Sequence, residues 1–305
     1  MDETTMGQTM MTSEETPRAR LWRNYTASIL ATIALATLLL IVLLALLAPV
    51  LAPQDPYDMA ALDLMDSRLA PGQLAADGHL RYWLGTDEQG RDMLSAILYG
   101  LRTSIVVGVI STVLALALGL ALGLLAGHAG GRLDSIIMRV CDMQLSFPPI
   151  LIALIMLALS GQGVGKIIVS LVAVQWAYYA RTVRGAALVE RRKQYMEAAA
   201  AMALSPARIV LRHLLPNCLP PLLAVAALQV AGAISLEAAL SFMGLGLPVT
   251  EPSLGLLIAN GFDYLLSGKY WISFFPGLVL VLLLVAINLV ADQLGDVLDP
   301  RLQSA

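Results

Sequence analysis

Long apolar runs, broken by polar segments, dominate the chain. A bilayer crossing needs about 20 apolar residues, and six runs are predicted to make one: about 26–49, 103–127, 144–160, 166–183, 218–240 and 271–291. The third and fourth are shorter or carry polar residues. The predicted organisation is a tail at 1–25, a first span with a long outer loop at 26–102, a core of five spans at 103–292, and a second tail at 293–305. Six crossings put both tails on one side.

Composition agrees with the pattern. Hydrophobic residues make up 58% of the 305 and charged residues only 13%, where a soluble domain carries about 25% charged residues. With a mean hydropathy of +0.76, an all-α integral membrane protein is expected. The net charge of −3 matters less than where the charges sit. Thirteen Arg and Lys residues fall on the side of the tails, among them Arg132, Arg139, Arg181, Arg184, Arg191, Arg192 and Lys193. Six fall on the other side, where the loop at about 50–101 also holds eight acids between Asp55 and Asp92. The cation-rich side is cytoplasmic. The first apolar run is too long for a secretory signal and lacks a convincing cleavage site. Cys141 and Cys218 lie in or beside spans and read as small apolar residues, not as a disulfide framework.

Candidate chemistry is sparse. His79, His128 and His213 are far apart and expected in loops, and no His/Cys cluster has metal-ligand spacing. Gly161 to Lys166 superficially resembles a phosphate-binding loop, but Ser160 stands where the first Gly is needed and Ile167 where Ser or Thr belongs. A tight turn is expected there. Arg139 and Asp142, spaced i, i+3, are expected to form a local ion pair. Ionisable groups inside spans are functional suspects. Glu237 heads them, read either as a path-lining carboxylate or as an interhelical anchor. Gln175 and Gln229 could line the same path or simply pack. Gly119, Gly123 and Gly127 share one helix face and predict close packing against another helix.

The segment at about 184–216 is too polar to span. Five of the eight residues at 197–204 are alanine, the best helix former. Ser205-Pro206 reads as an N-cap followed by proline in the first turn. Two short cytoplasmic helices with a break at Ala203–Ser205 are predicted. Helices this short are marginal in water and need a surface to dock on.

The same residues carry a resemblance. Tyr195-x-Glu197-Ala198-Ala199, with Ser205 and then Leu215-Pro216, resembles the EAA loop of ABC-importer permeases, and His213 to Asn217 looks like the dipeptide/oligopeptide/nickel branch. Gly85-Thr86-Asp87, Gly90-Arg91-Asp92 and Ser95 are similar to that branch's outer-loop signature. Glu237 to Phe242 with Gly244-Leu245-Gly246, and Asn288, Asp292, Asp296 and Leu298 to Arg301, match its later motifs. The departures are Ala203, Ala291 and Gly295, where Gly, Gly and Arg are usual, and the lack of an aromatic residue before Gly255. The resemblance covers about 20–305. It implies a type I importer permease fold, with the EAA loop as coupling helices. It also implies partners: a second permease subunit, two cytoplasmic ATPase subunits that hold ATP and Mg, and a periplasmic binding protein. No cofactor and no nucleic acid is expected for this chain, and lipid surrounds it.

Short peptides are the expected cargo, with nickel, opines or glutathione-like compounds as alternatives in the same machinery. A stand-alone ion-coupled carrier would show internal repeats and midplane carboxylates. A membrane-embedded enzyme would need a nucleophile and a base. Neither set is evident in the residues.

Overall fold

The computed structural model describes residues 23–58 and 62–298. Arg18, Arg20 and the run Asp299-Pro300-Arg301 lie outside the described residues. Among the described residues the fold is all-α, with one small hairpin in the outer loop.

Helix α1 (Ile29–Leu46) starts at Ser28, whose side chain accepts from the amide of Ala31. It buries only Ala31, Ala34, Ile41 and Ala45, and Leu30, Leu39, Leu40, Leu43 and Leu46 face outward, as in a helix solvated by lipid. The loop that follows holds a short antiparallel pair, β1 (Gln73–Leu74) and β2 (Arg81–Tyr82). Helix α2 (Met93–Ala129) then runs for 37 residues, about 55 Å at 1.5 Å per residue, against a hydrocarbon core of about 30 Å. It begins ten residues before the boundary at 103 read from hydropathy. The cause is local: Asp92 caps it, and Met93, Ala96, Ile97 and Leu101 are buried in the protein outside the expected apolar run.

The third expected span is a broken one. Helices α3 (Gly131–Leu145) and α4 (Pro149–Ser160) meet at 89°, at Pro148-Pro149, where proline disfavours helix in the residue before it and supplies no amide. Helix α5 (Val164–Glu190) returns against them. The glycine stripe of α2 packs on it: a Cβ at Gly119 would lie 2.4 Å from the Cβ of Tyr179, one at Gly123 2.6 Å from Val183, and one at Gly127 2.7 Å from Ala187.

Helix α6 (Gln194–Ala201) and the turn after it give the predicted break. The second short helix, however, is not separate. Helix α7 (Pro206–Ile209) passes through a π-turn (Val210–Leu214) into α8 (Leu215–Phe242), so one continuous rod replaces a loop helix and a span starting at 218. The wider turn sits where Pro216, Pro220 and Pro221 interrupt the amide ladder. Helices α9 (Leu254–Phe262) and α10 (Trp271–Leu298) complete the chain. His128 and His213 lie in α2 and in the π-turn, not in loops.

Among the described residues, four helices can cross a membrane by length and composition, or five with α3 and α4 as one broken span. Helix α5 is not among them. It is 27 residues long but carries Lys166, Gln175, Arg181 and Arg184. Packing against α2, α3, α4 and α8 buries Gln175, while Lys166 and Arg181 stay exposed.

Candidate functional site

Three regions hold the residues singled out above. The first is the segment from Glu190 to Pro216. Helix α6 turns Met196 and Ala199, 7% and 2% exposed, into a cluster with Val183, Ala187, Leu214 and Cys218 of its own chain. Ala199 therefore does not offer itself to a partner. The outward side carries Tyr195, Glu197, Ala198 and Met202. Leu215 and Pro216 form the foot of α8. Ala203 has φ +54, the left-handed turn for which glycine is the usual residue. Ser205 has the extended backbone of an N-cap, but its side chain makes no capping bond.

A hydrogen-bonded latch fixes the root of α6. The Tyr195 hydroxyl donates to Glu190 Oε2 at 2.7 Å, Lys193 Nζ lies 2.6 Å from Glu190 Oε1, and Asn217 Nδ2 donates to the Tyr195 hydroxyl at 3.2 Å. Burial opposes ionisation of Glu190, but the bonds from Lys193 and Tyr195 outweigh it and hold the carboxyl below its ordinary range. Burial and the bond to Glu190 push the Tyr195 phenol up to about 12. Nothing in the sequence pattern pointed to Glu190. An i, i+5 spacing across a helix end is no standard motif.

The second region is a cavity between α4, α5 and α8, with a volume of about 340 Å³. It brings Gln175 and Gln229 together with Tyr178, Gly232 and Ser235. Gln175 Nε2 donates to the carbonyl of Gln229 at 3.1 Å. Glu237 is not part of it. That carboxylate is fully buried and accepts from Ser104 Oγ at 2.9 Å and Ser241 Oγ at 2.8 Å. It ties α8 to α2, which is the anchor reading. Asp142 pairs with Arg181 across helices rather than with Arg139, and Asp134 pairs with Arg184 at 2.5 Å. Both pairs clamp α3 on α5, while Arg139 stays exposed.

The third region is the outer-loop signature, which forms a structural knot. Asp87 and Arg91 form a fully buried ion pair at 2.6 Å, and Arg91 Nη1 donates to the carbonyl of Val249 at 3.1 Å. Thr86 Oγ1 donates to the carbonyl of Asp66 and accepts from the amide of Leu69. Asp92 receives the amide and hydroxyl of Ser95; burial pushes its carboxyl up despite those bonds. Gly85 and Gly90 both have positive φ, and a Cβ at Gly90 would lie 2.4 Å from the carbonyl of Asp63. Spacing marked these six residues as a group, but only the fold shows that they close the loop over the start of α2.

Residues 119–304 match the model described as binding-protein-dependent transport system inner membrane component. Residues 16–71 match the N-terminal TM domain of oligopeptide transport permease C. The di/tripeptide transport system permease protein DppC of Pseudomonas aeruginosa (strain UCBPP-PA14) is 36% identical over 95% of this chain and 94% of its own. The dipeptide transport system permease protein DppC of Bacillus subtilis (strain 168) is 35% identical, covering 92% and 85%. The probable D,D-dipeptide transport system permease protein DdpC of Escherichia coli (strain K12) is 35% identical, covering 96% and 98%. Among solved structures, a chain of the inward-facing MetNI methionine ABC transporter superposes with a TM-score of 0.57 at 22% identity, over 68% of this chain and 98% of that one. That likeness gives the fold, the type I importer permease. The chain belongs to the family of inner membrane components of binding-protein-dependent transport systems.

Proposed function

We propose that this chain is one of two permease subunits of an ATP-driven importer that carries short peptides handed over by a periplasmic binding protein. Relatives named for dipeptide and di/tripeptide transport, matched along nearly their full lengths, support the cargo. ATP and Mg belong to two cytoplasmic ATPase subunits. Four apolar helices, the broken pair α3/α4 and helix α5 together make six crossings, with both termini in the cytoplasm and α6 facing the ATPases.

The observation that carries the coupling role is the split character of α6. One side is bolted to α5 and α8 through Met196, Ala199 and the latch, while Glu197, Ala198 and Met202 are left open. A helix held this way passes movement of a docked ATPase into the rods α5 and α8. In proteoliposomes holding the whole importer, Ala198→Arg should leave permease insertion normal. It should abolish stimulation of ATP hydrolysis by loaded binding protein and abolish peptide uptake. Wild-type stimulation and uptake in that variant would refute the coupling assignment.

A further inference from the structure

The cavity between α4, α5 and α8 has a chemistry of its own. Its polar lining consists of two carboxamides, Gln175 and Gln229, with the hydroxyls of Ser235 and Tyr178, on an otherwise apolar wall that includes Pro149. No carboxylate, imidazole or thiol is among its lining residues. Polar side chains on spanning helices face a bundle interior or a water-filled cavity, not lipid. Gln175 is 3% exposed, and its Oε1 is buried with no hydrogen-bond partner. An orphaned buried acceptor is costly, and a residue that retains one is suited to a transient donor. Across from it, Gly232 leaves open space, with only the Gln229 side chain within 4 Å of where a Cβ would be. The volume of about 340 Å³ lies at the low end of ligand sites, which run from about 300 to 1,000 Å³.

We propose that this cavity is a way-station that binds the peptide bond of the cargo. Gln175 accepts the substrate amide N–H, and the free carboxamide of Gln229 or the Ser235 hydroxyl donates to the substrate carbonyl. A neutral donor–acceptor lining matches a backbone amide and lacks the imidazole and thiolate donors that suit a nickel ion. The assignment rests on the peptide-import reading and adds to it a recognition step inside the membrane.

The test compares a dipeptide with its depsipeptide, in which an ester replaces the amide and removes the N–H. Both are supplied on saturating binding protein to the whole importer in proteoliposomes. The binding protein's own preference cancels when wild type and variant are compared. The amide-to-ester ratio of uptake rates should fall by about 3- to 10-fold in Gln175→Leu, the worth of one hydrogen bond. Co-purification of both ATPase subunits with Gln175→Leu at the wild-type ratio shows that the variant is assembled. As a second readout, alkylation of Ser235→Cys from the cytoplasmic side should be slowed by millimolar dipeptide and not by the free amino acids. An unchanged ratio in an assembled Gln175→Leu importer, or no protection at Ser235→Cys, would overturn the way-station while leaving peptide import standing. Failure of the wild-type complex to take up any dipeptide would instead sink the import reading.

Discussion

Two single positions show how backbone conformation and burial decide what a residue does. Ala203 adopts φ +54 at the turn after α6, where an L-residue with a Cβ is strained and glycine is not. Ala203→Gly should therefore stabilise the subunit by about 1 kcal/mol, read as a higher Tm of the purified complex; an unchanged or lower Tm would refute the strain. Glu237 illustrates the opposite case. Its carboxylate is sealed between Ser104 and Ser241, and both hydroxyls can reorient to serve an amide. Glu237→Gln should keep expression and uptake near wild type. Glu237→Ala orphans two buried hydroxyls and should cost about 1–3 kcal/mol each where no water replaces the bond, seen as reduced yield of folded protein. Loss of uptake in well-assembled Glu237→Gln would return the carboxylate to the transport path.

At the scale of elements, the coupling segment depends on the joint between α5, α6 and α8. Glu190, Tyr195 and Asn217 hold it. The Glu190 carboxyl is depressed, so its contribution is present above the ordinary carboxylate pKa and lost as pH falls through the lower folded value. The Tyr195 phenol is raised, so its contribution is complete below its ordinary value of 10.0 and lost as pH rises through about 12. The latch is thus closed across the neutral range. Tyr195→Phe removes the shared hydroxyl while keeping the ring. Substrate-stimulated ATP hydrolysis should fall several-fold in that variant, with basal hydrolysis and peptide binding by the partner protein unchanged. Identical stimulation in Tyr195→Phe and wild type would show that the joint transmits nothing.

For the whole molecule, topology is the property to test. Thr86 is buried within the knot of the outer loop, so it is a poor reporter. Asp77, at the exposed tip of the β1–β2 hairpin, and Ser205, exposed at the start of α7, are a suitable pair of reporters. In sealed cells an impermeant thiol reagent should label Asp77→Cys and spare Ser205→Cys, and inverted vesicles should give the reverse. Labelling of both from one side would dismantle the six-span arrangement. The membrane character, the cation-rich face, the break at Ala203 and the family were legible in the sequence, because apolar run length, turn chemistry and motif spacing are local. Helix α2 begins ten residues before the apolar run at 103, and α8 begins three before the run at 218. Met93 to Leu101 are buried by protein rather than by lipid, and a π-turn carries a helix past prolines. Which face of α6 is open, that Glu237 bonds Ser104 of α2 while Gln175 and Gln229 share a cavity, and that Asp142 reaches Arg181 rather than Arg139 were decided only by tertiary structure. Each depends on the rotation of one helix against another, and the residues that set it lie far apart in the chain.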